Sequence, residues 1–197
     1  MTPIDDDVRT AIERGDTTAA TELIVRTYMR DVVAYLASIA RAERIDETFS
    51  LWSEDVLRGI ASFRFASSIR TWVYTLARHA AVRCARDDYR RARRLTPGDA
   101  IDDLAAVARS QTADYLRTAM KDRLARARAE LEDGERELLH LRVDRQLPWR
   151  EIEEIVRDDN AASDEPACRR REQALRKRFE TLKRRLKAAL STDGSND

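Results

Sequence analysis

Ser67-Ser68-Ile69-Arg70-Thr71-Trp72-Val73-Tyr74-Thr75-Leu76-Ala77-Arg78-His79-Ala80 is the stretch on which the fold turns. Ile69, Trp72, Val73, Leu76 and Ala80 recur at steps of three and four, the spacing of one face of an α-helix. Ser67 or Ser68 supplies an oxygen that can cap its first free N–H groups. The same helix runs on into an arginine-rich segment, Arg83 to Arg94.

The pattern repeats upstream. Asp16-Thr17-Thr18 can cap a helix to about Arg41, with Ala20, Leu23, Ile24, Tyr28, Val32, Leu36 and Ile39 on its apolar stripe. A second helix follows Asp46, with Phe49, Trp52, Val56 and Ile60 three or four apart. The loop Ser62-Phe63-Arg64-Phe65-Ala66-Ser67 joins it to the helix quoted above.

Downstream, Leu95-Thr96-Pro97-Gly98-Asp99 breaks the periodicity and opens a linker to about Thr112, with a short helical piece at Leu104 to Val107. Helical spacing resumes with Leu116, Met120, Leu124, Ala127 and Leu131. Glu135 to Asp144 carries Leu138, Leu139 and Leu141, and Trp149 to Val156 carries Ile152 and Ile155. The last helix holds Leu175, Phe179, Leu182, Leu186 and Leu190 on one stripe.

Composition agrees with an all-helical chain. Only five Gly and four Pro interrupt 197 residues, and Ala, Leu, Arg and Glu, all good helix formers, dominate. The expected fold is all-α: two small helical domains joined by a flexible linker, the C-terminal one a helix-turn-helix. The boundaries read 1–94, a linker 95–113, 114–190, and a polar tail 191–197 expected to be disordered.

Charge divides the chain. The net charge is only +1, yet Arg64 to Arg94 holds nine basic and two acidic residues, and Glu165 to Leu190 holds ten and three. The rest is therefore strongly acidic. Two basic segments on an acidic background point to two contacts with a polyanion. Cys84 and Cys168 lie far apart and form no CxxC pair. No leader is visible in Met1-Thr2-Pro3-Ile4-Asp5-Asp6-Asp7, and no apolar run approaches a membrane span. The expectation is a soluble, cytoplasmic, reduced protein without membrane contact.

The two basic segments differ in kind. The C-terminal one ends a helix, short helix, basic helix succession, the layout that lays a polar helix face in the major groove of duplex DNA. Arg176, Lys177, Arg178 and Lys183 lie off its apolar stripe. The middle one interleaves rings and guanidinium groups: Phe63, Arg64, Phe65, Arg70, Trp72, Tyr74, Arg78, Arg83 and Arg86. Single-stranded DNA is held by such a mixture, arginines on phosphates and rings on unpaired bases. Trp72 lies on the apolar stripe and reads as core, so Phe65 and Tyr74 are the better stacking candidates.

These residues bring a family into view. Phe63 to His79, with its core Arg70-Thr71-Trp72, Tyr74 and Ala77-Arg78, resembles the promoter-melting segment of extracytoplasmic-function (group IV) sigma factors of the sigma-70 family. Leu147-Pro148-Trp149-Arg150-Glu151-Ile152, with Ala174 to Phe179 and Leu182 to Leu186, looks like that family's −35-reading domain. The resemblance covers about residues 15 to 190. It implies a factor that directs core RNA polymerase to promoter DNA and has no catalytic role of its own. The first domain would bind the polymerase clamp and read the melted −10 element through Phe63, Arg64, Phe65, Arg70, Tyr74, Arg78, Arg83 and Arg86. The second would read the −35 duplex through Arg176, Lys177, Arg178 and Lys183. Clamp docking would use Asp46, Glu47, Ser50 and Glu54, and an anti-sigma protein is a further candidate partner.

Two departures stand out. The family's Asp-Leu-Val-Gln-like clamp run reads Asp46-Glu47-Thr48-Phe49-Ser50-Leu51-Trp52 here, without the Gln. The turn between the DNA-reading helices is also long, Arg157 to Pro166. Either it bulges, or Asp164 caps an early-starting helix with Pro166 in its first turn, which would bring Arg169, Arg170 and Arg171 toward phosphates.

Other constellations carry less. His79, Cys84, His140 and Cys168 lack metal-ligand spacing, so neither a metal nor a cofactor is expected. Glu153-Glu154 and Asp158-Asp159 read as solvated pairs rather than acid–base catalysts. A duplex-binding regulator acting without polymerase would leave the aromatic–arginine loop unexplained. A helical protein adaptor would leave both basic segments without a role.

Overall fold

The computed structural model describes residues 3–94, 124–158 and 161–192. The described residues are helical throughout, with no strand among them. The linker 95–113, the expected helix start at Leu116 and Met120, and tail residues 193–197 lie outside them.

The N-terminal half holds four helices: α1 (Pro3–Glu13), α2 (Thr17–Ile39), α3 (Ile45–Gly59) and α4 (Ile69–Arg94). Asp16 caps α2 as expected, its side chain accepting from Ala19 N at 2.9 Å. Trp52, Tyr35, Ile24, Leu36, Ile60, Ile69 and Val73 are fully buried between these helices. Trp52 keeps its ring nitrogen satisfied by donating Nε1–H to the Val73 carbonyl at 3.0 Å, which ties α3 to α4. Gly59 is required by packing: a Cβ there would come within 2.9 Å of Trp72 Cζ2.

Helix α1 was not read from the sequence, and it matters. Buried Asp5 accepts the Ile69 N–H at 3.0 Å, so a residue 64 positions upstream caps the first turn of α4. Ser68 Oγ accepts Thr71 N–H at 3.1 Å and completes that cap.

The C-terminal half holds α5 (Asp133–Leu139), a π-helical turn (His140–Asp144), α6 (Trp149–Val156) and α7 (Glu165–Thr192). Residues 124–129 are also helical. Leu138, Leu141, Leu147, Ile152, Ile155, Phe179 and Leu182 are its buried interior, with Trp149 edge-on to Phe179 at 5.6 Å. Helix α7 runs two residues past the expected end at Leu190.

The two halves lie against each other. Helix α6 packs on α4 and α5 packs on α2, and their buried side chains form one continuous core.

Candidate nucleic-acid interface

The loop before α4 folds its rings together. Phe63 stacks on Trp72 at 4.7 Å and on Phe65 at 4.8 Å, and the Arg9 guanidinium sits 4.3 Å from the Phe65 ring centre. Phe65 has φ 55°, a left-handed backbone that costs a non-glycine residue energy. All three rings stay half-buried, with an edge to solvent, while Arg64 is exposed.

Along α4, the sequence-derived residues split into two groups. Arg83 and Arg86 are exposed, and Arg83 pairs with Asp55 of α3 at 3.3 Å. Arg70 and Arg78 are instead covered by the C-terminal half. Glu151 of α6 takes both arms of Arg70, with Nη2 at 2.9 and 3.1 Å and Nε at 3.3 Å, and also accepts from Thr71 Oγ1 at 3.2 Å. Glu137 of α5 pairs with Arg78 Nε at 3.2 Å and accepts from Tyr35 Oη at 2.5 Å. Burial raises the Glu154 carboxyl above the usual range. Two further bonds cross between the halves: Arg145 to Asp31 at 2.6 Å, and Arg136 Nε to the Ser38 carbonyl at 3.3 Å.

Tyr74 differs from the sequence reading. It is 1% exposed, edge-on to Tyr35 at 5.1 Å, and burial pushes its phenol well above the usual range. No base can stack on it in this conformation. Trp72, read as core, is only half-buried, and Trp52 fills the centre instead.

Helix α7 begins at Glu165 with the Asp164 carbonyl accepting Cys168 N–H at 3.0 Å, the early start of the two alternatives. Arg170, Lys177 and Arg184 recur every seven residues on its outer face and are exposed. Arg176 pairs with Glu172 at 3.1 Å and Lys183 with Glu180 at 2.8 Å, both at the surface. Arg178 lies over Gly134. Of the three arginines expected to face phosphates, Arg171 turns inward. It donates at 2.6 Å to both Glu153 and the Ala162 carbonyl, while Arg169 pairs with Glu165 at 2.9 Å. Glu153 is thus a buried anchor rather than a solvated carboxylate, 3% exposed and held also by Arg157 at 3.6 Å.

On α3, Asp46, Glu47, Ser50 and Glu54 are exposed, and Leu57 adds an apolar side chain on the same side. Glu47 pairs with Arg44 and Glu54 with Arg58. Among the described residues no group of His, Cys, Asp and Glu could hold a metal ion, and no helix is long and apolar enough to cross a membrane.

Sequence reasoning missed Glu137, Glu151, Glu154 and Asp5. Their only sequence signal was the acidic excess outside the basic segments, which names no partner.

No family model matches the sequence. The chain is 31% identical over 139 residues to the RNA polymerase sigma factor YlaC of Bacillus subtilis (strain 168), a match spanning 68% of this chain and 78% of that protein. Identity over that span, joined to an all-helical fold, makes the chain a member of the RNA polymerase sigma factors, in the extracytoplasmic-function group of the sigma-70 family.

Proposed function

We propose that this sigma factor reads promoters with two helices of different chemistry. Helix α4 and the loop before it take the melted −10 strand, arginines on phosphates and Phe65 on a base. Helix α7 takes the −35 duplex in the major groove as the second reader of a helix-turn-helix formed with α6. Core RNA polymerase docks on the exposed acidic face of α3, at Asp46, Glu47, Ser50 and Glu54, and makes the bonds itself.

The observation that carries this reading is the division of positive charge. The chain is nearly neutral overall, yet its excess arginine and lysine sits on two helices, one led by a loop that clusters the half-buried rings of Phe63, Phe65 and Trp72, the other with its own ring, Phe179, turned into the core against Trp149. A cluster of rings beside guanidinium groups suits unpaired bases, and a polar helix face whose ring is buried suits base edges in a groove.

The test is reconstitution. The purified chain should co-elute with bacterial core RNA polymerase and support transcription from promoters selected out of a randomised library. The selected promoters should share two conserved blocks, at −10 and −35. Duplex binding without polymerase and no transcription would instead identify a stand-alone regulator.

A further inference from the structure

Two of the residues proposed to hold the −10 strand, Arg70 and Arg78, are already paired with carboxylates of the C-terminal half. Glu151 of α6 reaches the start of α4 at Arg70 and Thr71. Glu137 reaches α4 two turns further on, at Arg78. Glu151 holds the Nε and Nη2 donors of Arg70, an edge that a phosphate would also use. While Glu151 is in place, a DNA strand cannot take that edge.

We propose that the C-terminal half is an internal competitor for promoter DNA. In the closed chain Glu137 and Glu151 sit on Arg78 and Arg70 in place of phosphates, and the strand binds only after the halves part. This rests on the reading of α4 as the −10 site.

Arg70–Glu151 is the more open of the two charge pairs between the halves, Arg78 and Glu137 keeping only 22% and 11% of their side-chain surface in water. Arg70 and Glu151 keep 38% and 24% of their side-chain surface in water, so their attraction is screened and modest. Tethering compensates, because groups on one chain meet at a high effective concentration. Free DNA therefore competes at Arg70 against a modest charge pair that is always nearby, backed by the more buried Arg78–Glu137 pair and the shared core. A closed state about tenfold in excess lowers the apparent affinity for the strand about tenfold.

The experiment uses the full chain, with Cys84 and Cys168 replaced by Ser and spin labels on Ala61→Cys and Ala174→Cys, both exposed positions on opposite halves. The probe is a mixed-sequence single-stranded oligodeoxynucleotide. Adding it to the otherwise unaltered chain should lengthen the label-to-label distance, a readout that needs no change at the seam. Glu137→Gln with Glu151→Gln should lengthen that distance without DNA and tighten oligonucleotide binding about tenfold. Exchanging the pair, Arg70→Glu with Glu151→Arg, should keep the short distance, which separates loss of the charge pair from misfolding. Oligonucleotide binding at an unchanged distance would overturn the proposal, as would opening by the Gln variant with no gain in affinity. If the Gln variant opens but Arg70→Gln and Arg78→Gln in that background leave oligonucleotide binding unaltered, the reading of α4 as the DNA site fails and the competition fails with it. The distance change would still record the latch.

Discussion

Tyr35 of α2 donates its phenol proton to the Glu137 carboxylate of α5 at 2.5 Å, joining two residues 102 positions apart. Burial and the Glu137 charge together push the Tyr35 phenol far above its usual range, so it is a donor at every pH the protein meets. Tyr35→Phe removes that donor and leaves Glu137 buried with Arg78 as its remaining neighbour in this bond network. A loss of about 1–3 kcal/mol is expected in urea denaturation of the full chain. A change below about 0.5 kcal/mol would mean that the bond adds nothing to the closed fold.

Asp5 should matter more than its place near the chain start suggests. Asp5→Ala leaves the first turn of α4 without its upstream acceptor and should cost about 0.5–2 kcal/mol. Hydrogen exchange at Ile69 should rise with it. Unaltered exchange there would show that water replaces the carboxylate at no cost.

His140 gives the fold a pH dependence of definite sign. Arg145 Nε approaches its Nε2 at 3.4 Å and Asp144 its Nδ1 at 3.3 Å, which fits a neutral ring carrying its proton on Nδ1. Burial is the largest influence and lowers its pKa, although Asp144 opposes it. The unfolded chain therefore takes up the proton first, and this contribution to stability is lost as pH falls below the ordinary value near 6.5. His140→Asn keeps a donor toward Asp144 and should flatten the variant's own stability curve, so that the wild-type-minus-variant difference shrinks as pH falls below about 6.5. Parallel curves through that window would refute the assignment.

Phe65→Ala should slow open-complex formation on duplex promoters. Stacking of one base on one ring is worth about 1–3 kcal/mol in single-strand binders. A template already melted at −10 should rescue the variant only in part, because the ring is still missing. Full rescue would assign Phe65 to loop packing with Phe63 alone.

On α7, base and phosphate contacts should separate by their salt response. Lys177→Ala or Arg176→Ala is expected to relax preference at one −35 position by about 1–3 kcal/mol. Lys183→Ala or Arg178→Ala should weaken every sequence alike and flatten the salt slope by about one unit. Holoenzyme binding to a panel of −35 variants at several salt concentrations reads both. No effect from any of the four would remove α7 from the DNA interface.

Helix positions were legible because each long helix carries its own stripe; Asp16 and Ser68 cap where the sequence puts them. Helix α1 escaped because its buried face is small and partly polar, Asp5, Val8 and Ala11, and carries no run of large apolar residues. Tyr74 was misplaced for a physical reason. Helix α4 is packed by α2 and α3 on one side and by α6 on another, so more than one stripe is buried and an off-stripe residue need not face water. The seam itself left no periodic trace. A glutamate that pairs 81 residues away, as Glu151 does with Arg70, looks in sequence like any solvated charge.

The pairing of Arg70 with Glu151 and of Arg78 with Glu137 also limits how freely the halves can be traded. Each pair takes one member from each half, so the two ends of the chain cannot vary independently. A chimaera that grafts α5 to α7 from another factor keeps every −35 contact of its donor yet separates both couples. Such a hybrid would lose restraint rather than recognition, and promoter swaps built from this chain should be matched at positions 70, 78, 137 and 151 before their output is compared.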